Sequence, residues 1–282
     1  MSVDSHRALV TAEELAEALR EDADLVVLDV RWQFGKPSLY SDYLAAHIPG
    51  ARWCDLDADL ADPAGPGGRH PLPDPTRLQQ AVRRWGIGSA SRVVAYDGQI
   101  GMAAARAWWV LRWAGLLRVQ VLDGGLTAWL AASQPVQAGV PEVTPGDAVV
   151  RPGSLPTLTA EQAAAMAAGG RLVDVRAPER FRGEQEPIDP VAGHIPGAVN
   201  LPTTGNVDDA GRFFSDDELR RRFAGLAADA GGDEPFGVYC GSGVTAAHTV
   251  LAMHEAGIPA VLYPGSWSEW ITDPARPVAT GE

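Results

Sequence analysis

Short apolar runs rich in branched side chains recur along the chain and alternate with longer segments of mixed character. Residues 26–30, 93–96 and 119–122 are short and rich in branched residues, as expected of buried strands in a parallel sheet. Residues 102–114 and 246–256 are long enough for helices. The alternation predicts an α/β fold built on central, mostly parallel sheets flanked by helices. Ligands of such sheets gather beyond the carboxyl ends of the strands.

The pattern is written twice. Val26-Val27-Leu28-Asp29-Val30-Arg31 corresponds to Arg171-Leu172-Val173-Asp174-Val175-Arg176, and His47-Ile48-Pro49-Gly50 to His194-Ile195-Pro196-Gly197. Further on, Val94-Ala95-Tyr96-Asp97-Gly98 corresponds to Gly237-Val238-Tyr239-Cys240-Gly241, and Leu122-Asp123-Gly124-Gly125 to Tyr263-Pro264-Gly265-Ser266. Ordered matches at near-constant spacing predict two copies of one domain, over residues 1–135 and 157–282. The proline-rich stretch 136–156 between them reads as an extended linker. Residues present in both copies are read as structural: His47 and His194 in a Pro-Gly turn, and Asp29 with Arg31 and Asp174 with Arg176 as packing or ion-pair contacts. Trp108 and Trp109 have core spacing.

A chain of 282 residues has room for two cores. Its hydrophobic content of 46% and charged content of 21% are those of an ordinary globular protein. A net charge of −13 argues against nucleic acid or an anionic membrane as general partners. The longest apolar stretch, near 102–117, is too short to span a bilayer and is interrupted by Arg106 and Arg112. The N-terminus has no apolar core of a secretion signal, so a cytoplasmic location is expected. Two cysteines, Cys54 and Cys240, argue against a disulfide framework, and no Cys/His cluster has zinc spacing; neither metal nor cofactor is expected.

Chemistry concentrates at Cys240. The strand-like run 236–239 delivers it into Gly241-Ser242-Gly243 at the opening of a helix. There the unpaired backbone N–H groups and the positive end of the helix dipole favour an anion. Cysteines in such places ionise at pH values of about 3.5–7.5 rather than about 8.5, which makes a nucleophile without a metal. A buried strand-end cysteine is the plainer alternative, and the surrounding glycines weigh against it. A cysteine phosphatase would need an arginine where Ala246 stands, and without that guanidinium the cradle has too little countercharge for a phosphate dianion.

The run Cys240-Gly241-Ser242-Gly243-Val244-Thr245-Ala246 resembles the active-site loop of the rhodanese superfamily, nearest its 3-mercaptopyruvate sulfurtransferase branch. The thiosulfate-specific branch typically has basic residues where Gly241 and Ser242 stand. The resemblance extends over nearly the whole chain and implies two rhodanese-like domains. The first, with Asp97 in place of the cysteine, lacks the nucleophile and forms a wall of the cleft; Asp97 itself is expected to be solvated or to cap a helix. Cys240 would carry a persulfide. Gly241, Gly243, Val244 and Thr245 would form the cradle around it, and Arg180 would bind the donor's anionic group. That branch usually has a second arginine where Glu186-Pro187-Ile188-Asp189 stands, and Arg182 is the candidate to compensate. Ser242 would relay protons with His70 and Asp57 of the first domain, with Asp55 as the alternative carboxylate. Trp267 follows the strand next to that of Cys240 and is expected to line the cleft.

The partners so implied are a small sulfur donor and a thiophilic acceptor such as cyanide, a thiol or a thioredoxin-like protein. Two other readings are thiosulfate as donor, and a non-catalytic persulfide carrier or redox sensor.

Overall fold

The computed structural model describes residues 7–98, 100–230 and 234–282. They form two compact units: the first runs to Asp62 and takes in Pro73–Leu155 and Val207–Phe213, and the second comprises Pro63–Leu72, Pro156–Asn206 and Phe214–Glu282.

In the first unit the order is β1 (Leu9–Val10), α1 (Ala12–Glu21), β2 (Leu25–Asp29), α2 (Tyr40–Ala45), β3 (Arg52–Trp53), α3 (Leu56–Asp59), α4 (Pro75–Arg84), β4 (Arg92–Tyr96), α5 (Met102–Trp113), β5 (Val119–Leu122) and α6 (Gly125–Ala131). Its sheet, β1-β5-β4-β2-β3, is parallel throughout. The second unit has α7 (Ala160–Ala168), β6 (Leu172–Asp174), α8 (Pro178–Phe181), β7 (Val199–Asn200), a 3-10 turn (Thr203–Asn206), α9 (Asp216–Ala230), β8 (Phe236–Tyr239), α10 (Val244–Glu255), β9 (Ala260–Leu262) and α11 (Ser266–Trp270). Its parallel sheet is β7-β6-β8-β9, and Thr157 makes a parallel bridge to Leu262 at the place β1 holds in the first sheet.

The expected strands are all present, within a residue of their bounds. α10 begins at Val244 rather than 246, which brings its N-terminus closer to Cys240. The repeat reaches into capping that similarity of sequence did not reveal. Thr11 accepts from the backbone of Glu14 and Glu14 answers at Thr11, while Thr159 and Gln162 do the same ahead of α7. Residues 134–155 contain neither helix nor strand and belong to the first unit: Gln137 exchanges backbone bonds with His47, and Ala148 N bonds Ile87 O.

The paired Asp and Arg residues brace the sheet against the Pro-Gly turn. Arg31 grips Asp29 and donates to Ala46 O; Arg176 grips Asp174 at 2.6 Å and donates to Gly193 O at 2.7 Å. His47 and His194 stack on Tyr43 and Phe181 and bond the backbone oxygens of those residues through Nδ1, which is a packing role in both copies. Since Arg176 and Asp174 are both buried, Arg176→Ala strands a carboxylate. It is expected to cost about 3–5 kcal/mol in urea unfolding, far more than an exposed pair such as Arg220 with Asp217.

Candidate active site

Cys240 is the first residue after β8, and the chain must turn at once to enter α10. Gly243 makes that turn at φ 79°, in the left-handed region that a side chain disfavours, and its N–H donates to Cys240 Sγ at 3.1 Å. The thiol thus sits at the head of a twelve-residue helix, where dipole and amide both favour negative charge. The loop is held from the neighbouring strand end. Trp267 N donates to Cys240 O at 3.0 Å and Ser268 N to Gly241 O at 2.9 Å. Ser266, at φ 54°, accepts from Cys240 N through Oγ at 3.2 Å and donates to Tyr263 O at 2.9 Å.

The first unit repeats this frame with other chemistry. Leu126 N and Thr127 N bond Asp97 O and Gly98 O as Trp267 and Ser268 bond the cysteine loop, and Gly125, at φ 56°, stands where Ser266 does. In the first copy glycine takes the left-handed position without strain. The second copy places serine there, at a cost of about 1–3 kcal/mol, and gains a hydroxyl on the Cys240 amide. In the sequence only the pairing of Ser266 with Gly125 marks this position. Asp97 fills its own cradle, accepting from Gly101 N and Ala103 N at 3.0 Å each. It caps α5, and a carboxylate stands there in place of a thiol.

Two further side chains of the second unit reach the loop. His70 Nδ1 lies 2.8 Å from Ser242 Oγ, and both side chains are buried. Residues 63–72 belong to this unit by their contacts: Arg69 N donates to Ser268 Oγ at 3.0 Å and Thr272 Oγ1 to Pro66 O at 3.4 Å. Arg180 enters from α8. Glu186 holds it through Nε at 3.0 Å and Nη2 at 2.7 Å, and Asp189 accepts from Nη2 at 3.1 Å. Both ends of the Arg180 guanidinium lie 3.6 Å from the point where a Cβ on Gly241 would be. A thiol, a hydrogen-bonded hydroxyl–imidazole pair and a guanidinium are therefore gathered at one loop, groups whose chemistry is nucleophilic attack, proton transfer and anion binding.

A family model described as rhodanese-like domain matches the chain twice, over residues 11–132 and 159–273. The chain belongs to the rhodanese-like family. A Pseudomonas aeruginosa relative with the provisional name 3-mercaptopyruvate sulfurtransferase is 48% identical, over 99% of this chain and 100% of its own length. A Mycobacterium tuberculosis relative provisionally named thiosulfate sulfurtransferase SseB is 45% identical over 98% of each chain. Among solved structures, Escherichia coli SseA, described as a 3-mercaptopyruvate sulfotransferase with the rhodanese fold, superposes with a TM-score of 0.81 at 32% identity. That match covers 93% of this chain and 99% of SseA.

The remaining candidate residues lie on several elements. Arg182 is paired with Glu184 at 2.8 and 2.9 Å at the surface. Asp57 belongs to the first unit, where it accepts from the Trp32 indole at 3.0 Å, and Asp55 caps α3 by accepting from Asp57 N and Ala58 N. Trp267 is fully buried: its indole donates to Val191 O at 2.9 Å and its ring lies 4.8 Å from the Arg176 guanidinium. Its side chain is core, and what it gives the loop is its backbone N–H. Val244 and Thr245 open α10 directly after the thiol. Among the described residues no group of His, Cys, Asp or Glu could hold a metal ion, and no helix is long and apolar enough to cross a membrane.

Proposed function

We propose that this chain is a sulfurtransferase that takes sulfur from 3-mercaptopyruvate and carries it as a persulfide on Cys240 to a thiophilic acceptor. The observation that carries this reading is the hydrogen bond between His70 and Ser242, where Ser242 stands two residues past a cysteine whose Sγ receives an amide hydrogen bond. The thiolate attacks the donor's sulfur and an S–S bond forms. The donor's C–S bond breaks, its electron pair passes to carbon, and the pyruvate enolate so released needs a proton. Ser242 and His70 supply it, and the proton of the donor's thiol restores the pair, leaving a persulfide anion and pyruvate. An acceptor thiolate or cyanide then attacks the outer sulfur and regenerates the Cys240 thiolate. The acceptor is cyanide, a small thiol or a thioredoxin-like protein.

A second reading, with thiosulfate as donor and sulfite as leaving group, is favoured by the name of the Mycobacterium relative. It asks for more positive charge than Gly241 and Ser242 provide. Steady-state rates with both donors and a thiol acceptor separate the two: pyruvate released over many turnovers supports the first, and turnover with thiosulfate alone refutes it. At most one equivalent of pyruvate would mean a carrier.

Arg180 anchors the donor's anionic group. Arg180→Ala is expected to raise KM for 3-mercaptopyruvate about tenfold to a hundredfold, the worth of one charge-assisted contact of about 1.5–3 kcal/mol. Arg180→Lys recovers part of it, because a point charge lacks the planar fork. Unchanged kinetics for both variants would move the anchor elsewhere.

A further inference from the structure

A second guanidinium stands beside the loop. Arg69 Nη2 lies 2.7 Å from the point a Gly241 Cβ would occupy, and the Arg180 ends lie 3.6 Å from the same point. The two arginines come from segments far apart in sequence, yet one buried carboxylate fixes both. Asp189 accepts from Arg69 Nη1 through Oδ1 and from Arg180 Nη2 at 3.1 Å through Oδ2. Glu186 holds the rest of one edge of Arg180, and the backbone of Arg69 is pinned by Ser268. Two carboxylates balance two guanidinium charges, so the arginines can lie side by side without a ligand. Both guanidiniums therefore lie against Gly241, the residue that follows Cys240. Neither side chain is sealed from solvent: that of Arg69 is 23% exposed and that of Arg180 16%.

We propose that Arg69 is a specificity-determining residue: with Arg180 it grips the carboxylate of a 2-oxo acid donor, and Asp189 positions the two guanidiniums. A carboxylate offers two oxygens in one plane, which suits donors arriving from two sides. The inference rests on 3-mercaptopyruvate being the donor. It distinguishes a donor with a carboxylate from one with the same reacting atoms and none.

The test compares 3-mercaptopyruvate with mercaptoacetone, in which a methyl group replaces the carboxylate while thiol, methylene and ketone are kept. Arg69→Ala is expected to lower the ratio of kcat/KM values, 3-mercaptopyruvate over mercaptoacetone, about tenfold to a hundredfold, chiefly through KM. Arg69→Lys, which keeps charge and stem, is expected to recover part of the ratio and guards against a folding defect in the alanine variant. Equal losses with both donors in the two variants, or a ratio unchanged from wild type, would overturn the assignment and leave Arg69 a structural partner of Asp189. If the wild-type protein releases no pyruvate from 3-mercaptopyruvate, the donor reading itself fails. A wild-type protein that is active, with variants of unchanged ratio, sinks only the role of Arg69.

Discussion

Cys240→Ser is expected to lower sulfur transfer by about four orders of magnitude or more and to abolish the persulfide, because a serine hydroxyl in the same cradle cannot accept sulfur. Intact-mass spectra of donor-treated protein should gain one sulfur atom in the wild type and in Cys54→Ser, and none in Cys240→Ser. Cys54 is the control because carboxylates neighbour its thiol. It is fully buried, and burial, then the Asp59 and Asp55 carboxylates, push its thiol well above the ordinary range, so it stays protonated at neutral pH. Cys240 is buried too, but its Sγ receives the Gly243 N–H at the head of α10. A sulfur adduct that survives on Cys240→Ser would refute the assignment of the nucleophile.

The repeat, the strands and the turn that carries Cys240 were legible in the sequence because each depends on local pattern. Buried strands show as branched runs, and glycines crowd where the chain must turn left-handed next to the thiol. The partners of Cys240 were harder to read, since they come from distant segments. His70 was reached only through resemblance across a loop of variable length, and its bond to Ser242 follows from residues 63–72 packing with the second unit. The absence of an arginine between Glu186 and Asp189 read as a gap. In the fold those two carboxylates tether guanidiniums, and one of these, on Arg69, lies 120 residues earlier in the chain. No periodicity encodes such a contact. Ser266 was hidden for another reason: a serine at positive φ has no sequence signature of its own, and only the glycine at the paired place in the first copy marks it.

His70→Ala and Ser242→Ala are each expected to lower turnover of 3-mercaptopyruvate about 10²–10⁴-fold, the usual worth of a placed general acid, while changing thiosulfate turnover little. The two donors share the attack by sulfur and differ in what departs. A pyruvate enolate is a strong base that needs a proton as the C–S bond breaks, whereas sulfite leaves as a stable anion. The geometry suits the first demand: Ser242 Oγ, two residues beyond the thiol, is 2.8 Å from His70 Nδ1, so the hydroxyl can pass on a proton that the imidazole replaces. Thiosulfate turnover, however slow, then reports an intact thiolate and cradle, and the ratio of the two rates isolates proton supply. Comparing the variants adds a second constraint. If hydroxyl and imidazole act as one relay, the double variant should be hardly worse than either single one, because a broken chain cannot be broken again. Equal losses with both donors, or losses that multiply in the double variant, would mean that the pair shapes the pocket or tunes Cys240 instead, and the relay would have to be given up.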